Sequence, residues 1–155
     1  MIDRRAFIAG AIAFSAAPLA AEAQQAAKVP RIGYLTGANP AANPHQHEAF
    51  RQGLRDVGYL EGRNVVIEYR SAEGKVERLP ALAAELVALK VDVIVSPSTP
   101  AALAAKQATR TLPIVFTAAD PVASGLVTSL ARPGGNVTGL SILAPELVGK
   151  RLEQL

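Results

Sequence analysis

Short apolar runs alternate along this chain with longer segments whose apolar positions recur at helical spacing. The run at residues 31–36 reads as a first strand and ends in the turn set Gly37-Ala38-Asn39-Pro40. Residues 45–57 place Phe50, Leu54 and Val57 on one helical face, with Gly58 positioned to end the helix. Residues 64–70 alternate, with Val65, Ile67 and Tyr69 on one side of a second strand. After a polar connection at 71–75, residues 77–89 carry the stripe Leu79, Leu82, Leu86 and Leu89 and predict a second helix. Residues 91–95 are apolar except for Asp92, the pattern of a parallel-sheet strand covered on both faces.

The second half of the chain continues the rhythm. Ser98 or Thr99 caps a third helix, with Pro100 in its first turn, running to Thr109. A fourth strand spans 113–117. Asp120-Pro121 repeats the cap-plus-proline signature and predicts a fourth helix reaching Ala131. Pro133-Gly134-Gly135-Asn136 is a turn, 137–141 a fifth strand, and Pro145 opens a last helix toward Leu155. Strands alternating with helices of this length predict an α/β fold: a doubly wound parallel sheet of five strands with helices on both faces.

The first residues break the pattern. Arg4-Arg5 precede a small apolar run, Pro18 interrupts it, and Ala21-Glu22-Ala23 offers an A-x-A cleavage site. The run is shorter than the roughly 20 apolar residues that span a bilayer. Residues 1–23 are therefore expected to be an export signal, by the Sec or a twin-arginine-like route, with the mature protein starting at Gln24 in the periplasm. Residues 24–144 form one α/β lobe in this reading, and 145–155 begin a crossover helix.

Composition narrows the function. The formal net charge is +3 and basic residues are scattered with few aromatics among them, which does not suit nucleic acid. There is no cysteine, so a disulfide, a thiol nucleophile and a cysteine lipid anchor are excluded. No nucleophile elbow, phosphate loop or dinucleotide glycine fingerprint occurs, so neither catalysis nor a cofactor is expected. His45 and His47, two apart, do not share a helix face and read as a solvated helix start; Arg51, Arg55 and Arg63 read as surface charges.

In an open α/β sheet, ligands bind beyond the carboxyl ends of the strands. Thr36-Gly37-Ala38-Asn39, Ser96-Pro97-Ser98-Thr99 and Thr117-Ala118-Ala119-Asp120 are placed there. Ser98, Thr99 and the amides near Ala101 suit a carboxylate, because a helix N-terminus offers free N–H groups and a positive dipole end. Asp120 suits an ammonium, and together they suit a zwitterion such as an amino acid. The candidate ligand residues are Thr36, Gly37, Ser96, Ser98, Thr99, Thr117 and Asp120. The alternative, that Thr99 and Asp120 only cap helices, stays open.

Several stretches together carry a resemblance: Arg31-Ile-Gly-Tyr-Leu35, Gly58-Tyr-Leu-Glu-Gly-Arg-Asn-Val-Val-Ile-Glu-Tyr-Arg70, Arg78-Leu-Pro-Ala-Leu-Ala-Ala-Glu-Leu86, Val91-Asp-Val-Ile-Val95, Pro113-Ile-Val-Phe116, Asp120-Pro-Val122 and Leu130-Ala-Arg-Pro-Gly-Gly-Asn-Val-Thr-Gly-Leu-Ser141. The chain resembles the ABC-transporter solute-binding family related to tryptophan and tyrosine uptake proteins, which is similar to type I periplasmic binding proteins. The resemblance implies two α/β lobes that close on a small solute, with an aromatic amino acid as the lead, and a membrane permease as partner. It also implies a hydroxyl segment at Ser96–Thr99 and an Asp-Pro at Asp120-Pro121 beside the cleft. Family members are about twice as long, so this chain corresponds to the first lobe and is expected to bind weakly alone. Leu147, Val148, Leu152 and Leu155 would then be under-covered and drive association. An extracytoplasmic sensor and, ranked lower, a secreted α/β hydrolase are the competing classes.

Overall fold

The computed structural model describes residues 28–39, 41 and 43–142, so the expected export signal and the helix opening at Pro145 lie outside the described residues. The elements are β1 (Arg31–Thr36), α1 (Pro44–Asp56), β2 (Val66–Ser71), α2 (Leu79–Ala88) after a 3₁₀ turn at Val76–Arg78, β3 (Val93–Ser96), α3 (Thr99–Ala108), β4 (Ile114–Ala118) and β5 (Val137–Ser141). All five strands are parallel, in the order β2-β1-β3-β4-β5. The fold class read from the sequence is the observed one.

Handedness distributes the helices. A right-handed crossover from β1 outward to β2 puts α1 on one face; those from β2 back to β3 and from β3 to β4 run the other way and put α2 and α3 on the opposite face. The second face holds the core, with Leu35, Ile94, Ile114 and Phe116 of the sheet packed against Leu79, Leu82, Leu86, Ala101 and Ala105. Leu79, Leu82 and Leu86 are the stripe that the helical spacing indicates, and burying each such side chain contributes roughly 1.5–3 kcal/mol.

The other face is covered unevenly. Register puts Ile32, Tyr34, Ile67 and Tyr69 under α1, whereas Val93, Val95, Val115, Thr117, Thr138 and Leu140 share the rest of that face. Val115 is 40% and Leu140 71% exposed. No described helix lies over β4 and β5 on this side, whereas Val93 and Val95 of β3, the strand whose pattern reads as covered on both faces, are half-buried. Helix α1 itself buries no residue fully; Phe50 and Leu54 are half-buried and Val57 is 69% exposed. Its end follows the Schellman pattern: Gly58 takes φ +87°, its amide donates to the Arg55 carbonyl at 2.9 Å, and the Tyr59 amide donates to Leu54 at 2.8 Å.

One predicted helix is absent. After Asp120-Pro121 the chain makes turns only. Asp120 Oδ1 accepts the Ala123 amide at 2.9 Å, as a cap would, but Gly125 then turns to φ +72° and Leu126 and Val127 enter the core. Lys106 Nζ donates to the carbonyls of Gly125 and Leu126, both at 2.9 Å, and so takes acceptors that a continuing helix would use. Tertiary burial of Leu126 and Val127 overrides the local cap signal.

A polar clasp fixes the start of the sheet. Asp92 accepts the Arg31 amide at 2.8 Å and pairs with Lys28. The Lys28 ammonium, then the Arg31 amide, hold its carboxyl below the ordinary value of 3.8. A carboxylate whose pKa is lower folded than unfolded stabilises above the unfolded value, and the contribution disappears as pH falls through the folded one. The stability difference between the native chain and Asp92→Asn should therefore be present at neutral pH and vanish on acidification below 3.8. Urea unfolding of both proteins across that range checks it; a difference that persists unchanged in acid would contradict the assignment.

Candidate functional site

Strand order brings three loops to one edge. β3 lies between β1 and β4, and the direction of strand addition reverses between β1 and β3, the place where α/β sheets open a crevice. The segments after β1, β3 and β4 line this edge, as the sequence spacing predicts.

The residues there do different things. Thr36 is buried and its Oγ1 accepts the Ala38 amide at 3.2 Å, while its carbonyl accepts the Ala72 amide at 2.9 Å. Gly37 offers its carbonyl to the Gly74 amide at 2.8 Å, and Ser71 Oγ donates to the Ala38 carbonyl at 2.8 Å. Thr36 and Gly37 therefore shape the edge by tying the loops after β1 and β2 together. Thr117 is half-buried and shares the α1 side of the sheet. Asp120 is exposed, with one carboxylate oxygen committed to the Ala123 amide.

Ser96 and Ser98 stand apart. Ser96 is 0% exposed, and the hydroxyls of both serines are buried without a hydrogen-bond partner among the described residues. Ser98 is the N-cap residue of α3, in extended backbone, yet its side chain makes no cap bond. The first intrahelical bond runs from the Ala102 amide to the Ser98 carbonyl at 3.0 Å, so the Thr99 and Ala101 amides precede the helix ladder, and Pro100 has none to offer. The first turn of α3 contains no acidic side chain to neutralise its positive end. Two idle hydroxyls beside free amides at a helix N-terminus can receive an anion such as a carboxylate. An unpartnered buried hydroxyl costs about 1–3 kcal/mol, which an arriving acceptor would recover.

A second cluster was misread from the sequence. His47 is not a solvated helix start. Its ring lies 4.9 Å from that of Tyr34 and 5.9 Å from that of Tyr69, and Phe50 lies 5.0 Å from Tyr34. Arg51 donates to the Tyr69 hydroxyl at 3.1 Å, pairs with Glu61 at 3.1 Å and stands 5.6 Å over the Tyr69 ring. Burial, then the neighbouring Tyr69, raise the Tyr34 phenol above its ordinary range, and its hydroxyl has no partner among the described residues. A cavity of about 360 Å³ lies alongside, lined by Pro44, His47, Glu48, Arg51 and Tyr69. The signal was legible: His47 and Phe50 are three apart and so share a face. Arg55 pairs with Glu48, so it and Arg51 are organised rather than free charges. Among the described residues no group of three metal-ligating side chains occurs, and no helix is long and apolar enough to cross a membrane.

A parallel sheet in this order, with two buried hydroxyls unpartnered among the described residues at its carboxyl edge, defines an α/β lobe of the doubly wound class. The family model for ABC transporter substrate binding proteins matches residues 40–155, and the chain belongs to that family. It is 43% identical over 95 residues to a tyrosine-binding protein of Clostridioides difficile, covering 61% of this chain and 28% of that one. Among solved structures it is similar to a conserved domain protein from Vibrio cholerae (36% identity, TM-score 0.74, covering 82% of this chain and 43% of that one). It is also similar to a Streptococcus ABC domain in complex with L-Trp, at 33% identity and a TM-score of 0.67, covering 72% of this chain and 38% of that one. A ligand-free, open substrate binding protein from Clostridium difficile matches at 32% identity and TM-score 0.73. The chain thus spans less than half the length of these relatives.

Proposed function

We propose that this chain is the first lobe of an extracytoplasmic solute-binding component of an ABC transporter, exported by a leader at residues 1–23. It holds an amino acid, an aromatic one favoured, in a cleft closed by a second lobe, and delivers it to a membrane permease. The single observation that carries this reading is the pair of buried, unpartnered Ser96 and Ser98 hydroxyls at the uncapped start of α3. They suit the α-carboxylate, and exposed Asp120 on the same edge suits the α-ammonium. The tyrosine-binding relative and the L-Trp-bound neighbour support the ligand class.

A cleft ligand is normally buried over most of its surface, which one wall does not achieve. Calorimetric titration of the chain from Gln24 with L-tyrosine and L-tryptophan should accordingly give a Kd no tighter than about 1 mM. Joined after Leu155 to the second half of the Vibrio relative, the same lobe is expected to bind at least about a hundredfold more tightly. Micromolar binding by the isolated chain would refute the two-wall cleft. A joined protein that is folded but binds no amino acid would refute the ligand class.

A further inference from the structure

A cavity of about 610 Å³ opens between α3 and the segment that leads into β5, lined by Lys106, Gln107, Arg110, Gly125, Gly135 and Asn136. Small-ligand sites run from roughly 300 to 1,000 Å³, so the space is of ligand size. Gly125 and Gly135 border open space: a Cβ added at either would meet no neighbouring atom within 4 Å. The cavity sits at the C-terminal end of α3, so the ten residues of that helix, about 15 Å, separate it from Ser98.

Its polarity is one-sided. Lys106, in the last turn of α3, and Arg110, just beyond the helix, both line it, and no carboxylate is among its described lining residues. The Lys106 ammonium is held by the Gly125 and Leu126 carbonyls. Those acceptors are neutral, so they fix the charge in place without cancelling it, and they use two of its three N–H donors. Arg110 is exposed and carries five donors on a planar fork. Neither cation pairs with a carboxylate among the described residues. Asn136 is spent on the wall itself: Nδ2 donates to the Thr109 and Leu112 carbonyls at 3.3 and 2.7 Å and ties the turn after α3 to the start of β5. The dipole of α3 accounts for one cation near its C-terminus, but not for two beside a ligand-sized space.

We propose that this cavity binds a phosphate-bearing anion, whose oxygens accept from the Arg110 fork, from the remaining Lys106 N–H and from the Gln107 amide. A phosphate group suits the site better than a carboxylate because it has oxygens enough for three side chains at once. The site shares no residue with the Ser96–Ser98 edge and stands whether or not that edge holds an amino acid. A soluble phosphorylated solute and the headgroup of an anionic lipid offer the same chemistry.

The probe is inorganic phosphate, titrated into the chain from Gln24 at constant ionic strength and followed by amide NMR, with sodium chloride as the control. Saturable shifts are expected at residues 106–110, 125 and 135, with residues 96–99 unmoved. Arg110→Gln should weaken binding at least about tenfold, whereas Lys75→Gln, which removes an exposed charge elsewhere, should leave it unchanged. Arg110 is exposed and has no carboxylate partner among the described residues, so its loss should not move the urea midpoint, and weaker binding then reports the site and not the fold. Shifts that chloride reproduces, that fail to saturate, or that are equal in Arg110→Gln would overturn the proposal. Sedimentation with phosphatidylglycerol vesicles, against phosphatidylcholine vesicles, separates the two sources. Retention lost in Arg110→Gln but kept in Lys75→Gln assigns the site to a lipid headgroup; saturable phosphate binding without retention assigns it to a soluble phosphorylated solute.

Discussion

Replacing Ser98 by alanine should leave the unliganded lobe as stable as before and weaken amino-acid binding by the joined, two-lobed protein about tenfold or more. A serine N-cap normally contributes about 1 kcal/mol, because its hydroxyl satisfies an orphan amide. Here the Ser98 hydroxyl makes no cap bond and is buried unpartnered, so removing it sacrifices no internal interaction. A hydrogen bond to a charged group contributes about 1.5–3 kcal/mol, which corresponds to a ten- to hundredfold change in affinity. Urea unfolding without ligand and calorimetry with L-tyrosine and L-tryptophan separate the two effects. A loss of stability with affinity intact would mean that Ser98 does nothing beyond ending the loop. Ser96, fully buried two residues earlier at the end of β3, should show the same signature of retained stability and lost affinity.

Replacing Gly139 by alanine should destabilise the lobe by more than about 3 kcal/mol, or release β5 from the sheet altogether. Gly139 pairs with Phe116 across β4 and β5, and an added Cβ would land on the Phe116 carbonyl and ring. The obstacle is backbone, which does not yield as the end of a flexible side chain does. β5 is an edge strand bonded only to β4 among the described residues, so it is the element that would give way. Hydrogen exchange of residues 137–141 together with the urea midpoint of the variant reads the effect. An alanine variant with native protection at β5 would contradict this packing.

The elements whose fate was decided locally were legible in the chain. β1 falls at residues 31–36 as its apolar run indicates, and Leu79, Leu82 and Leu86 are buried on one side of α2 as their spacing requires. Gly58 ends α1 by the left-handed turn that its position suggests. The hydroxyl segment at Ser96–Thr99 and the Asp120 turn lie at the carboxyl edge because alternating strands and helices leave those loops nowhere else to go. Where sequence reasoning failed, the deciding contact came from far along the chain. The Asp120-Pro121 signature promised a helix, but burial of Leu126 and Val127 and the Lys106 ammonium drew the backbone into turns. His47 looked solvated until β1 and β2 brought Tyr34 and Tyr69 beneath it.

The sequence by itself thus determined the fold class, the position of each strand, the family, and which loops meet at the carboxyl edge of the sheet. These follow from periodicity, caps and turn residues, which act over a few positions. Tertiary structure alone decided that the Ser96 and Ser98 hydroxyls find no partner among the described residues, that an aromatic group gathers under α1, and that the described residues leave part of one sheet face uncovered. Those properties depend on which distant groups approach a side chain and which do not, and no local pattern records an absent neighbour.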